Sequence, residues 1–186
     1  MPATTEPLTA EAFFALDAED ERFMELVGGV VVVNDPVLRH QGIVAVVLTA
    51  LRIWTTAATG RGQAYPSANV PITDHDVYKP DVLWIAQANL PDDLRKRLAQ
   101  VPDLCVEVRS PSTWRFDIGR KKAMYEATGL RELWLVDDLA ETVIVYRRSA
   151  PGASSFDVAL ELGGDEALTS PQLPGFSIPV RRLFAG

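Results

Sequence analysis

Apolar residues recur along the chain at two spacings, and the two patterns predict helices and strands in different segments. Six of them recur at helical spacing and predict a long, largely buried helix from Val37 to about Thr59, which Gly60 would end. These six are Ile43, Val44, Val47, Leu48, Leu51 and Trp54. Thr9 is placed to cap a short helix, TAEAFFALDAED. Two β-rich runs flank Gly28-Gly29 and predict a hairpin.

The middle of the chain alternates between buried strands and helices. DVLWIA follows Pro80, and DLCVEVRS ends at Ser110-Pro111; both are typical of buried strands. A basic helix from Asp117 to Ala127 would end at Gly129. The remaining predicted elements are two short extended pieces in GQAYPSANVPI, a surface helix in PDDLRKRLAQ, a hairpin from LRELWLVDD to ETVIVYRR, and a strand in SFDVALEL. This order predicts an α/β (α+β) fold with a mixed central sheet, covering helices and terminal hairpins, as one domain over residues 1–186.

Composition and charge exclude several kinds of site. One cysteine and two histidines exclude a disulfide framework, a multi-cysteine zinc site and a histidine-rich metal site. The net charge of -7 argues against broad electrostatic capture of nucleic acid. Residues 109–122 nevertheless carry five cations against one acid, which fits either a basic site or an exposed helix face. The chain has no apolar run of membrane-spanning length and no signal-peptide pattern at its start, so we expect a cytoplasmic protein.

Two carboxylates in strand-like segments are the main candidates for chemistry. Asp81 opens the first buried strand and Glu107 lies inside the second. Acids are rarely buried unless they are paired or bind a metal, and two carboxylates on adjacent strands would suit Mg²⁺. The alternative is that Asp81 caps a turn and Glu107 points into solvent.

The helix after Glu107 supplies a cation. Asp117, Lys121 and Tyr125 lie four residues apart and would share one helix face. The Lys121 ammonium could reach back to the carboxylates, position the attacking water and stabilise charge on a phosphate. A surface ion pair between Asp117 and Lys121 accounts for the spacing equally well.

An ordered series of segments resembles a known family. ELVGG, LRHQGIV, KPDVLWI, PDLCVEVRSPST, DIGRKKAMYEATGLRELWLVD and VIVYRR together resemble the Uma2 family of putative restriction endonucleases, in the PD-(D/E)xK nuclease superfamily, over about residues 23–148. The resemblance implies a restriction-endonuclease-like fold and metal-dependent phosphodiester hydrolysis. It implies that Asp81, Glu107 and the carbonyl of Val108 hold the metal. The superfamily lysine usually lies two residues after the glutamate, where this chain has Arg109, and the resemblance places that role on Lys121.

The resemblance also suggests accessory residues. Asp117 and Tyr125 match the pattern around the lysine. Glu25 matches an acid that could add a metal ligand and His40 matches a family histidine, although a core or capping role suits both. Gly28-Gly29 departs from the acidic turn that is usual in the family.

The sequence therefore predicts a Mg²⁺- or Mn²⁺-dependent endonuclease that acts on DNA, with Asp81, Glu107 and Lys121 as its catalytic residues. Arg109, Arg115 and Lys122 are candidate phosphate contacts. We also expect a homodimer, since dimers are the commonest assembly. Two alternatives stay open: an inactive nuclease-fold interaction module, and a phosphodiesterase whose substrate is not DNA.

Overall fold

A computed structural model describes residues 6–16, 24–111 and 113–185. The end of the first predicted helix, the start of the N-terminal hairpin segment and Ser112 lie outside the described residues. The strands are β1 Met24–Val27, β2 Val30–Val33, β3 Gln63–Pro66, β4 Val70–Thr73, β5 Asp76–Tyr78, β6 Val82–Ile85, β7 Leu104–Val108, β8 Glu132–Asp137, β9 Thr142–Arg147, β10 Val158–Gly163, β11 Ala167–Leu168 and β12 Ile178–Pro179. The helices are α1 Ala10–Phe14, α2 Leu38–Thr56, α3 Trp114–Phe116, α4 Lys122–Ala127 and α5 Arg181–Phe184, with a π-helical turn at Asp117–Lys121 between α3 and α4.

A six-stranded mixed sheet forms the centre of the fold. Its strand order is β10-β9-β8-β7-β6-β3, and β7 and β8 are its parallel pair, connected through α3, the π turn and α4. A four-stranded antiparallel sheet, β2-β1-β5-β4, lies beside it, and β11 pairs with β12. The predicted mixed sheet with flanking helices is confirmed, and so are the hairpins β1–β2 and β8–β9.

The two faces of the central sheet are covered by different elements. α2 packs on one face, where Ile43, Val47 and Leu51 meet alternate residues of β6 and β7 such as Val82 and Val106. On the other face, Cys105 and Leu133 pack with Tyr125 of α4 and Tyr78 of β5. Because side chains alternate along a strand, Glu107 faces the same side as Cys105 and therefore points towards α4.

The predicted surface helix in PDDLRKRLAQ is wrong, because residues 91–100 form turns and irregular chain. The Asp93 carboxylate accepts hydrogen bonds from the backbone N–H and the side chain of Arg95, which compete with helical hydrogen bonding. Leu94 is also 61% exposed, so little burial would stabilise a helix here.

No helix in the described part of the chain is long and apolar enough to cross a membrane.

Candidate active site

The candidate site begins where β6 and β7 lie side by side. The two strands are antiparallel, with Val82 opposite Val106, and the same register continued by one residue puts Asp81 opposite Glu107. Asp81 Oδ2 accepts a hydrogen bond of 2.7 Å from the backbone N–H of Val108. Glu107 is only 3% exposed, so the alternative in which it points into solvent is wrong. The expected adjacency of the two strands is confirmed.

Lys121 reaches the same place from the π turn. Its Nζ lies 2.8 Å from Glu107 Oε1, 3.0 Å from Asp117 Oδ1 and 2.9 Å from Glu25 Oε1. The side chain is 1% exposed, so a surface ion pair between Asp117 and Lys121 does not describe it. Four residues that the sequence singled out thus form one buried cluster, which we call the lysine cluster: Glu25, Glu107, Asp117 and Lys121.

Neutral polar groups fix the carboxylates of the lysine cluster. The Tyr125 hydroxyl donates to Glu107 Oε1 at 2.9 Å, and the Thr113 hydroxyl donates to Asp117 Oδ2 at 3.1 Å. The backbone N–H of Lys79 donates to Glu25 Oε1. These contacts hold three acids, from three separate segments of chain, around one ammonium group.

A second ion pair, which no sequence pattern predicted, holds the π turn against β5. Arg120 donates through Nε and Nη2 to the two oxygens of Asp76, at 3.0 and 2.9 Å. Asp76 also accepts hydrogen bonds from the Tyr78 hydroxyl and from the backbone N–H of Gly28. A Cβ on Gly28 would lie 3.1 Å from Arg120 Cζ, and Gly28 has a positive φ of 61°. The departure from the family's acidic turn therefore coincides with close packing against Arg120.

The lysine cluster holds more negative charge than its one ammonium balances. Burial raises the pKa of Glu107 well above its usual range; the Lys121 ammonium opposes this, and the carboxylates of Asp117 and Glu25 add to it. Burial likewise raises the pKa of Glu25, against the effect of Lys121. Burial alone would lower the pKa of Lys121, but Asp117, Glu107 and Glu25 outweigh it and hold the pKa well above the ordinary value. Lys121 is therefore charged, and the cluster favours uptake of further positive charge.

His40 lies beside Asp81 at the N-terminal end of α2. Its ring is 2% exposed and Nε2 is 3.2 Å from Asp81 Oδ2. Burial lowers the pKa of His40, but the neighbouring Asp81 carboxylate and the backbone of Val108 together raise it above the ordinary value. The structure thus places His40 beside Asp81, just as it places Lys121 beside Glu107.

The model of one family matches almost the whole chain. It is the Uma2 family, described as "Putative restriction endonuclease", and it matches residues 10–181. The chain belongs to the Uma2 family. No curated protein matches it.

A solved structure has the same fold as this Uma2 chain. It is the crystal structure of a protein from Anabaena variabilis ATCC 29413, titled a putative nuclease belonging to DUF820. The two share 18% sequence identity over 96% of this chain and 98% of the other, with a TM-score of 0.78. At that identity the similarity shows the fold alone, which is the nuclease-like fold that the sequence predicts.

The three cations predicted to contact phosphate lie outside the lysine cluster. Arg109 Nη1 pairs with Asp137 Oδ2 at 2.8 Å, and Lys122 pairs with Glu126 at 3.4 Å. Arg115 is exposed, with its guanidinium 4.7 Å from the centre of the Phe116 ring. Lys122 Nζ also lies 4.9 Å from the centre of the Tyr146 ring. Their role as phosphate contacts stays a prediction.

A cavity of about 190 Å³ opens over the candidate site of this Uma2 chain. Glu25, Asp81, Lys79 and Gln41 are among the residues that line it. Of the residues of the candidate site, Glu25 and Asp81 line it, whereas Glu107 and Lys121 do not. A larger cavity of about 860 Å³ lies along α2 and the C-terminal segment, and none of the predicted site residues lines it.

The chemistry of the predicted ligands suits a hard divalent cation better than their present arrangement does. Within the described residues, no three His, Cys, Asp or Glu side chains are grouped to hold a metal ion. The predicted ligands are two carboxylates and a carbonyl oxygen, which are the oxygen donors that Mg²⁺ and Mn²⁺ prefer. The surplus of buried carboxylates, and the raised pKa of Glu107, favour a cation at this position. Glu107 would exchange part of its contact with Lys121 for the metal.

Proposed function

We propose that this chain is a Mg²⁺- or Mn²⁺-dependent endonuclease that hydrolyses phosphodiester bonds in DNA. The observation that carries the proposal is the contact of 2.8 Å between Lys121 Nζ and Glu107 Oε1, at the end of the strand pair that also presents Asp81. A buried ammonium beside two strand-borne carboxylates is an arrangement suited to handling the charge of a phosphate. Membership of the Uma2 family supports the same conclusion.

Each residue has a distinct part in the proposed reaction. Asp81, Glu107 and the carbonyl of Val108 would hold the metal, which supplies Lewis acidity and lowers the pKa of a bound water. The Lys121 ammonium would stabilise the negative charge that develops on the phosphoryl oxygens. Tyr125 would orient Glu107 through the hydrogen bond to Oε1, and Asp117 and Glu25 would keep Lys121 in place.

The test compares plasmid and single-stranded DNA cleavage by wild type and three variants, Asp81→Asn, Glu107→Gln and Lys121→Met, with Mg²⁺, Mn²⁺ or EDTA. We expect each substitution to lower cleavage by at least about 100-fold, the scale of losing one group that stabilises a transition state. Circular dichroism would establish that each variant is folded.

Two substitutions on exposed side chains serve as matched controls, Asp92→Asn and Lys96→Met, and both should cleave like wild type. Wild type that binds no divalent metal and cleaves no nucleic acid would refute the proposal in favour of an inactive module. The net charge of -7 favours a second candidate, a phosphodiesterase acting on a small substrate. Hydrolysis of bis(p-nitrophenyl) phosphate without DNA cleavage would support that candidate instead.

A homodimer belongs to the same proposal, because a second copy would extend the surface that meets DNA. Val37, Leu38 and Ile53 of the α2 region are 55%, 90% and 66% exposed, and such apolar side chains suit a contact between copies. Light scattering coupled to size-exclusion chromatography measures the mass of the assembly directly.

A further inference from the structure

His40 is the polar residue at the N-terminal end of the buried stripe of α2. Four other buried residues of α2, Ile43, Val47, Leu51 and Trp54, continue the stripe along the central sheet. The position of His40 therefore follows from the packing of a 19-residue helix and not from a mobile loop. This packing places the imidazole at the start of β6, beside Asp81.

The imidazole of His40 has no satisfactory hydrogen bond in the described part of the chain. Neither Nδ1 nor Nε2 has a partner of acceptable geometry, although the side chain is 2% exposed. Leaving a buried polar group unsatisfied is destabilising, so a buried ring in this condition is a candidate to bind a ligand. Asp81 Oδ2 is close enough to Nε2, at 3.2 Å, but it lies off the direction of a hydrogen bond.

The separation of these two atoms matches that of two neighbouring ligands of one metal ion. In an octahedral complex with metal–ligand distances of about 2.1–2.2 Å, adjacent donors lie about 3.0 Å apart. A buried nitrogen and a carboxylate oxygen at 3.2 Å need little movement to reach that geometry. The backbone of Val108 is at the same place, because its N–H binds Asp81 and its backbone is also near the His40 ring.

We propose that His40 is a metal ligand through Nε2, beside Asp81, and that it biases the site towards Mn²⁺ over Mg²⁺. This inference rests on the proposed metal-dependent function. The His40–Asp81 pair is the part of the ligand set already in place, whereas Glu107 is held by Lys121 and Tyr125. Carboxylate and carbonyl donors serve both metals, but imidazole suits transition metals far better than Mg²⁺. Removing the imidazole should therefore cost Mn²⁺ binding more than Mg²⁺ binding.

The chain has only two histidines, so each is the control for the other. His75 is exposed, and its Nδ1 lies 2.9 Å from the carbonyl of Leu8, away from the site. Calorimetric titration of the full chain with Mn²⁺ or Mg²⁺ alone would compare wild type, His40→Gln and His75→Gln. We expect Mn²⁺ affinity to fall at least about tenfold in His40→Gln, Mg²⁺ affinity to change less, and His75→Gln to bind both metals like wild type.

Electron spin echo envelope modulation spectroscopy of bound Mn²⁺ gives a second measurement that does not depend on activity. A directly bound imidazole nitrogen should modulate the echo in wild type and in His75→Gln, and this modulation should be absent in His40→Gln. Mn²⁺ that binds wild type without nitrogen modulation would overturn the role of His40 and leave the proposed nuclease function standing; His40 would then be a buried histidine that shares a proton with Asp81. Absence of any Mn²⁺ binding to folded wild type would overturn both.

Discussion

Lys121→Met tests whether the buried ammonium holds the candidate site together. Methionine keeps much of the apolar length of lysine and removes the charge that Glu25, Glu107 and Asp117 face at 2.8–3.0 Å. With an effective dielectric constant of about 20, one such contact is worth roughly 6 kcal/mol in Coulomb energy. Repulsion among the three acids, and their ability to take up protons once the ammonium is gone, limit the loss. The expected cost is that of breaking a buried ion pair, about 3–5 kcal/mol.

Lys122→Met is the matched control, one position along the same helical segment. Lys122 has a side chain 27% exposed and one ion pair of 3.4 Å with Glu126, so its loss should cost at most about 1 kcal/mol. Urea unfolding followed by circular dichroism would measure both variants, since domains of this kind have free energies of unfolding of about 5–15 kcal/mol.

The double variant Lys121→Met/Glu25→Gln separates the charge effect from a change in packing. Removing one acid relieves the uncompensated charge that Lys121→Met leaves behind, so the double variant should lose less than the sum of the two single variants. A strictly additive result, or a loss for Lys121→Met no larger than for Lys122→Met, would refute the electrostatic argument.

Two further predictions concern the groups around the lysine cluster. Burial would raise the pKa of Asp76, but Arg120 and the Gly28 N–H lower it from 3.8 to about 2. The ionised form therefore adds about 2 kcal/mol to the free energy of unfolding above pH 4, and this is lost as the pH falls from 3.8 through 2. The difference in urea midpoint between wild type and Asp76→Asn should accordingly shrink between pH 5 and pH 2, and a constant difference would contradict the assignment. Tyr125→Phe removes a donor to the buried carboxylate of Glu107 and should cost about 1.5–3 kcal/mol in the same unfolding assay; an unchanged midpoint would show that this hydrogen bond contributes nothing.

The strands that carry Asp81 and Glu107 could be predicted because their signal is local. Each is a short apolar run bounded by proline, and one acid inside such a run stands out. The spacing of Asp117, Lys121 and Tyr125 also predicted that they share one face of the helical segment. No local pattern predicted the π turn within that segment. Lys121 was selected from the family resemblance, because spacing left a surface ion pair equally acceptable.

Contacts between distant segments could not be predicted in the same way. Glu25 and Lys121 are 96 residues apart, and Asp76 and Arg120 are 44 apart. Each of these pairs joins the four-stranded sheet to the π turn, so it depends on how two layers pack and not on either sequence alone. His40 shows the same limit. The periodicity of α2 predicted the buried face on which it lies, but the acid that His40 contacts, Asp81, depends on where β6 begins.

The charge of the site has a consequence for the order of the proposed reaction. Four acids, Glu25, Asp81, Glu107 and Asp117, share their surroundings with Lys121, so the group carries -3 when all the acids are ionised and His40 is neutral. A phosphodiester is itself an anion and would be repelled from such a site, in a chain whose net charge is already -7. Protons can offset part of this charge, as the raised pKa of Glu107 indicates, but a divalent cation offsets two units at once. Under the proposed function, metal binding must therefore come before DNA binding. The buried excess of acid repels a phosphodiester when no metal is bound, and the same excess makes the site depend on its cation.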